Sequence, residues 1–203
     1  MSPLSPFLAP ERDSAFKAGR AKMAGTTFNC MPGVWSTTVS SGNYTAGQDV
    51  YAPFEVRTPL VIDQLLAEVT TLFSGGNFRI GFYPAGTDWQ PAAGAAPLAD
   101  SGSILTTTTG VKTYTPGTPI FVPRGRYVSV FNVDNGTAAF RILKGGPLGL
   151  PLSSTLGGSI FLQTMVVERA YAAFPTPGTP WDIGNTSSLA PIEYQHFYRV
   201  SQP

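Results

Sequence analysis

The chain has 203 residues, and its composition already limits what it can be. Charged residues make up only 12%, roughly half the usual share in a soluble domain, and 22 glycines and 19 prolines interrupt regular structure often. Hydrophobic residues at 42% still supply a core, which excludes a disordered tract. The net charge of +1 excludes a nucleic-acid binder that depends on a broad basic surface, so we expect no nucleic-acid partner.

The sequence gives little support for metal binding, cofactor binding or membrane insertion. Cys30 is the only cysteine and His196 the only histidine, so neither a disulfide framework nor a common zinc ligand set can be assembled. No apolar run approaches the roughly 20 residues that cross a bilayer, and the first seven residues do not begin a secretory signal. We therefore expect no metal, no cofactor and no membrane insertion in a chain made in a cytoplasm.

The first 25 residues differ from the remainder and are predicted to be a separate arm. Residues 1–10 contain three prolines, and residues 11–24 hold the only dense charge cluster. Pro10 before acidic and then basic residues, with Gly25 after them, predicts a short helix flanked by an extended segment. The arm either packs weakly on its own domain or docks on a partner, with Phe7, Arg12, Phe16, Lys17, Arg20 and Lys22 as the docking candidates.

Residues 26–203 are predicted to form one all-β domain. Short β-branched and aromatic runs alternate with Gly, Pro and Asn clusters, which is typical of an antiparallel β-sandwich of jelly-roll type. The predicted strands are Val34 to Ser40, Gln48 to Glu55, Leu60 to Leu72, Asn77 to Tyr83, Gly102 to Thr107, Lys112 to Tyr114, Ile120 to Val122, Arg126 to Val133, Ala138 to Leu143, Ile160 to Ala170 and Ile192 to Val200.

Three of these segments carry sharper predictions. The run from Leu60 to Phe73 fits a helical period in part, but its β-branched and aromatic end favours a long strand. The strand from Arg126 to Val133 has apolar residues on both faces, as expected between two packed layers. Asp134, Asn135 and Gly136 predict a tight hairpin between that strand and the next one.

No catalytic constellation rises above background, so the chain is predicted not to be an enzyme. The sequence contains no nucleophile elbow, phosphate-binding loop or dinucleotide fingerprint. The carboxylates are scattered rather than paired, and His196 lies within an aromatic β run. A polysaccharide-degrading enzyme stays open as an alternative.

Two tryptophan loops are the candidate contact sites. Trp89 follows Asp88 and Trp181 precedes Asp182, each pair in a turn-rich loop. A tryptophan beside a carboxylate can stack on a sugar ring or anchor an interface. Alternatively, each tryptophan folds back over one end of the sandwich.

The stretch from Tyr51 to Val133 resembles a known domain. The quoted motifs are Ala52-Pro53-Phe54-Glu55-Val56, Ile62-Asp63, Phe78-Arg79-Ile80-Gly81-Phe82-Tyr83, Pro97-Leu98-Ala99-Asp100-Ser101-Gly102, Thr109-Gly110 and Pro123-Arg124-Gly125-Arg126-Tyr127-Val128. They resemble a β-sandwich domain of tailed-bacteriophage and prophage virion proteins, with Phe82 in place of the commoner isoleucine and Val128 where tryptophan is frequent. The resemblance implies a fibre, spike or decoration component without catalytic residues.

The expected function is therefore that of a non-enzymatic bacteriophage virion structural protein. The resemblance implies other virion proteins of the capsid, neck or tail as partners, and a homo-oligomer, by analogy a trimer. A host surface glycan is a further candidate partner, and the expected location is the virion, assembled in the host cytoplasm. A carbohydrate-binding β-sandwich module of cellular origin is the alternative, resting on the two tryptophan loops.

Overall fold

The computed structural model describes residues 22–23, 26–29, 36–56, 59–87, 90–145, 163–176, 186–191, 193–194 and 197–201. Within these ranges every regular element is a β-strand. The described part of the chain accordingly holds no helix long and apolar enough to span a membrane.

The described strands form two sheets in which all paired strands are antiparallel. The nine-stranded sheet consists of β1 (Lys22–Met23), β2 (Thr26–Asn29), β3 (Ser36–Asn43), β5 (Leu60–Thr71), β9 (Gly110–Tyr114), β10 (Ile120–Val122), β12 (Ala139–Gly145), β15 (Glu193–Tyr194) and β16 (Phe197–Ser201). The seven-stranded sheet consists of β4 (Gln48–Val56), β6 (Asn77–Pro84), β7 (Ala99–Asp100), β8 (Ile104–Leu105), β11 (Gly125–Val133), β13 (Gln163–Glu168) and β14 (Thr186–Pro191).

The strand order is that of a jelly roll, which confirms the predicted fold class. In one sheet β3, β12 and β5 lie side by side, with β9 and β10 on the far edge of β5. In the other sheet β4, β11 and β6 lie side by side, with β7 and β8 on the far edge of β6. From β3 to β6 each successive strand belongs to the opposite sheet, and the same alternation holds from β10 to β13.

The long strand β5 shows why its sequence also fitted a helical period. Leu60 and Ile62 point into the core, and Leu65, Ala67 and Val69 do so further along, so the alternation changes phase between the two groups. The register with β16 shifts at the same place, because Ile62 and Gln64 face consecutive residues of that strand. The resulting bulge gives the apolar residues an irregular spacing within a continuous strand.

The core between the sheets is rich in aromatic side chains. Phe131 of β11 lies 4.9 Å from Phe140 of β12 and 5.7 Å from Phe78 of β6, measured between ring centroids. Tyr44 joins this group at 5.1 Å from Phe131. Every residue of β11 from Tyr127 to Val133 is buried, which confirms the expectation of a strand covered on both faces.

The predicted hairpin at residues 134–136 is wrong. The strands β11 and β12 belong to different sheets, so this turn carries the chain across the sandwich. Gly136 does not adopt a positive φ; instead Asn135 Oδ1 accepts a hydrogen bond from the Thr137 amide at 2.7 Å. Asp134 accepts two bonds from Asn77, from its amide and its Nδ2, both at 2.7 Å. Side-chain bonds rather than a ladder therefore shape the turn.

The predicted N-terminal arm touches the described structure at its last residues. Lys22–Met23 form β1 and pair with β2, so these two residues end in a strand and not in the predicted helix. β2 in turn pairs with β16, which places β1 at an edge of the nine-stranded sheet. The remainder of the predicted helix and the extended segment, residues 1–21, lie outside the described residues.

Candidate functional site

The outer face of the seven-stranded sheet carries a second buried cluster, on the side away from the main core. Its residues come from β4, β6, β11 and a segment of residues 169–176, which we call the outer strap. They are Tyr51, Tyr83, Val128, Val130 and Phe174. The outer strap therefore covers a sheet face that a two-layer sandwich could otherwise leave in solvent.

A buried ion pair fixes the start of the strap. Asp49 of β4 is fully buried. Arg169 donates two hydrogen bonds to its carboxylate, from Nη2 to Oδ1 at 2.9 Å and from Nε to Oδ2. Asn132 Nδ2 donates to the same carboxylate, as does the Tyr51 hydroxyl at 3.1 Å. A buried carboxylate with this many donors is fully satisfied, which is the condition under which burial of a charge is tolerated.

The same burial sets the protonation of the surrounding groups. Burial raises the pKa of the Tyr51 hydroxyl far above its ordinary value, and the Asp49 charge raises it further. Tyr83 follows the same pattern, with its pKa raised by burial and then by Asp49. Burial alone would lower the pKa of Arg169, but the hydrogen bonds and charge of Asp49 outweigh it and raise the value. All these groups keep their ordinary charge states at neutral pH.

A second ion pair fixes the middle of the strap. Arg79 Nε of β6 lies 3.0 Å from Asp100 Oδ1 of β7, and the Arg79 guanidinium carbon lies 5.9 Å from the Tyr171 ring centroid and 6.0 Å from that of Phe174. Asp100 Oδ2 accepts the Phe174 amide at 3.1 Å, and the Tyr171 hydroxyl lies 2.8 Å from Ser103 Oγ. Charge, hydrogen bonds and cation–π contacts thus converge on the strap.

Gly81 has no side chain, and this leaves room for Phe174 of the outer strap to pack against β6. A Cβ at this position would stand 2.2 Å from the Ala99 carbonyl oxygen and 3.0 Å from the Phe174 ring. Any side chain here would therefore push apart β6 and β7 and displace Phe174. The glycine is required for close approach, not for backbone freedom.

The two predicted tryptophan loops begin at neighbouring points on this face. The loop containing Trp89 is closed at its base by the Ala85 bridge to Pro91 and by the Gly86 amide, which donates to Gln90 O at 2.8 Å. The Tyr83 hydroxyl donates to Pro175 O at 2.7 Å, and Pro175 lies just before the segment that leads to Trp181. One hydrogen bond thus joins the strand that precedes the Trp89 loop to the end of the outer strap.

The predicted contact residues themselves lie outside the described part of the chain. This holds for Asp88, Trp89, Trp181 and Asp182. It also holds for the arm residues Phe7, Arg12, Phe16, Lys17 and Arg20, while Lys22 begins β1. His196 and Cys30 are likewise outside the described ranges.

Sequence reasoning missed the strap and its anchors. Asp49 and Arg169 are 120 positions apart, and no local pattern links them. The available signal was that Asp49 and Asn132 stand within strands made mostly of apolar residues, in a chain with few charges. Buried polar residues of this kind need partners, although the sequence does not say which.

The arrangement on this face is that of a structural anchor. The charged groups beside the cluster form the ion pairs Arg169–Asp49 and Arg79–Asp100, and both carboxylates also accept amide or hydroxyl hydrogen bonds. In the residues that the structure describes, no group of three His, Cys, Asp or Glu side chains is placed to hold a metal ion. The site can position loops rigidly at one surface of the sandwich.

Comparison of the chain with protein-family models and with curated proteins found no match.

Proposed function

We propose that the chain is a non-enzymatic bacteriophage virion structural protein of the fibre, spike or decoration type. Its N-terminal arm anchors it to the particle, where capsid, neck or tail proteins are its partners. The sandwich faces outward as part of a homo-oligomer and contacts the host surface.

The observation that carries the proposal concerns the motif residues that resemble phage virion domains. Arg79 and Gly81 come from one motif and Asp100 and Gly102 from another, and all four meet in one unit on the seven-stranded sheet. Arg79 pairs with Asp100, whose Oδ1 also accepts the Gly102 amide at 2.9 Å. Gly102 has a φ of +67°, a conformation that favours glycine. The motif thus encodes a physical unit, which supports the resemblance as one of fold and not of composition.

The geometry of the sheet edge supports an anchoring arm. The strands β1 and β2 join the sandwich through β16, outside the eight-strand jelly-roll order. Residues 1–21 therefore precede a strand at the edge of a sheet, and none of the strand pairings that the structure describes includes one of them. The arm can then be tested separately from the fold.

The test is deletion of residues 1–21 in the particle-producing system. We expect the shortened chain to fold with an unchanged melting temperature and to be lost from purified particles. A matched control replaces Phe121, a 63% exposed side chain of β10, by Ser in the full-length chain, which we expect to be incorporated normally. Normal incorporation of the shortened chain would overturn the anchoring arm.

Host contact is assigned to the two tryptophan loops. The Tyr83–Pro175 hydrogen bond, which joins the strand before the Trp89 loop to the outer strap, supports one contact surface rather than two unrelated ones. A tryptophan presented by a rigid base is suited to stacking on a sugar ring. The variants Trp89→Ala and Trp181→Ala should each lose binding on a glycan array, while Phe121→Ala keeps it.

A carbohydrate-binding module of cellular origin is the second candidate, favoured by the same loop bases. Glycan binding that depends on Trp89 and Trp181, in a chain absent from particles, would favour it over the virion protein. Particle incorporation without any glycan binding would remove the glycan contact and leave the structural role.

A further inference from the structure

The turn that crosses between the sheets carries chemistry that the proposed function does not use. Asn135 is partly exposed and is followed by the exposed Gly136, in the segment that joins β11 to β12. A glycine after asparagine leaves the asparagine Cγ open to attack by the next backbone nitrogen, because no side chain blocks the approach. The turn also places a hydrogen-bond donor on this side chain, because the Thr137 amide donates to Asn135 Oδ1 at 2.7 Å.

We propose that Asn135 is a site of spontaneous deamidation, with Gly136 as the nucleophile and water as the co-reactant. The Gly136 backbone nitrogen loses its proton and forms a bond to Asn135 Cγ. The Cγ–Nδ2 bond then breaks, and Nδ2 leaves as ammonia with that proton, giving a cyclic succinimide. Water adds to one of the two ring carbonyls and opens the ring to aspartate or isoaspartate, with no change of oxidation state.

The fold assists the first step at the oxygen where charge develops. During attack on Cγ the negative charge accumulates on Oδ1, and the Thr137 amide donates to that oxygen at 2.7 Å. A donor already aimed at a developing oxyanion lowers the barrier because it needs no reorganisation. The amide of Thr137 therefore acts as a positioning and charge-stabilising group for this reaction.

Two other asparagines in the same region lack this arrangement. Asn132 is buried, precedes Val133, and donates from Nδ2 to Asp49. Asn43 precedes Tyr44 and donates to the carbonyl oxygens of Gly136 and Thr137 at 3.3 and 2.9 Å. Both amides are held as donors, and a side chain follows each of them, so we expect neither to react.

Deamidation would loosen the crossing between the sheets. A new carboxylate at position 135 would stand beside Asp134, whose two bonds to Asn77 cap the neighbouring strand. An isoaspartate would also lengthen the main chain where a Cβ on Gly136 would already lie 3.1 Å from the Tyr44 carbonyl oxygen. The modification would thus slowly and covalently weaken the contacts that shape this turn.

The test uses the full chain, incubated in mildly alkaline buffer and digested with trypsin at time points. Cleavage after Arg126 and Arg141 places Asn132 and Asn135 in one peptide, so each spectrum contains its own control. We expect Asn135 to convert to aspartate and isoaspartate at least about tenfold faster than Asn132. Thr137→Ala, which keeps the amide donor, should react at the same rate, whereas Gly136→Ala should be at least about tenfold slower.

A parallel incubation in urea keeps the result interpretable if Gly136→Ala does not fold. Conversion of Asn135 in the folded chain, at a rate equal to or above that in urea, supports the proposal. An Asn135 that stays intact in the folded chain while it converts in urea would overturn it, as would equal rates at Asn132 and Asn135 in the folded chain.

Discussion

The outer faces of the two sheets are built in different ways. On the seven-stranded sheet the outer strap covers the face, and Arg169 and Asp49 pair where the carboxylate is fully buried. On the nine-stranded sheet Phe121 and Val111 stand 63% and 59% exposed, and the Arg141–Glu68 pair lies partly in solvent. Both pairs are two-point contacts between a guanidinium and a carboxylate, so burial is the main difference between them.

This difference in burial predicts that the two ion pairs contribute unequally to the stability of the fold. Removing one partner of a buried ion pair destabilises the fold, because the other partner stays buried with an unpaired charge. An exposed pair is solvated with or without its partner. The two faces therefore offer matched substitutions within one chain.

The largest effect is expected from Asp49→Ala. Arg169 would lose its counter-charge, and Asn132 and Tyr51 would each lose an acceptor. The free energy of unfolding, measured by urea denaturation, should fall by about 3–5 kcal/mol. The double variant Asp49→Leu with Arg169→Met should recover much of that loss, and a loss below about 1 kcal/mol in the single variant would contradict the structural role of the pair.

A smaller loss is expected from Gly81→Ala. The new Cβ would meet the Ala99 carbonyl oxygen at 2.2 Å, which forces the backbone of β6 or β7 to move. We expect urea denaturation to show a destabilisation of about 1–3 kcal/mol. Gly117→Ala is the control on the exposed edge, where a Cβ meets nothing within 4 Å and should change stability by less than about 1 kcal/mol. Equal effects at the two glycines would contradict the close packing of the strap.

The covered face should also make the fold sensitive to alkali. The pKa of Tyr51 is raised in the folded chain, so above pH about 10 the unfolded chain loses a proton that the folded chain keeps. Stability is therefore fully present below that pH and falls above it, by about 1.4 kcal/mol per pH unit for this group. The urea midpoint between pH 9 and pH 11 measures the slope, which Tyr51→Phe should reduce. An unchanged slope in that variant would show that Tyr51 ionises equally in both states.

The smallest effect is expected from Glu68→Ala on the other face. The Arg141 guanidinium remains in contact with water when its partner is removed, so the urea midpoint should stay within the repeatability of the measurement. A shift comparable to that of Asp49→Ala would show that the two faces do not differ in the way their environments indicate.

The sequence identified strands more readily than it identified their partners. Strand positions follow from local alternation and from turn residues, which is why β6, β10 and β11 were predicted within two residues of their bounds. The pairing of a strand depends on which of the two sheets it joins, and local sequence does not specify that. At Asn135 the same residues that suit a hairpin instead bind side-chain and backbone groups of a crossing turn.

The outer strap was beyond sequence reasoning for a similar reason. Its anchors are long-range: Arg169 to Asp49, Pro175 to Tyr83, and Phe174 to Asp100. Burial of these polar groups depends on tertiary contacts that no local spacing encodes. The tryptophan loops were predicted from a tryptophan beside an aspartate in a turn-rich segment, and they stay a prediction. The Tyr83–Pro175 hydrogen bond near them is another contact that only the fold shows.

Above all, we propose that the chain is a component of a virus particle. Quantitative mass spectrometry of purified particles, released from cells that carry the gene, tests it most directly. We expect the full-length chain in a fixed ratio to the major capsid protein, with cross-links from Lys17 or Lys22 to a neighbouring virion protein. Particles that contain no copy of the chain would contradict it.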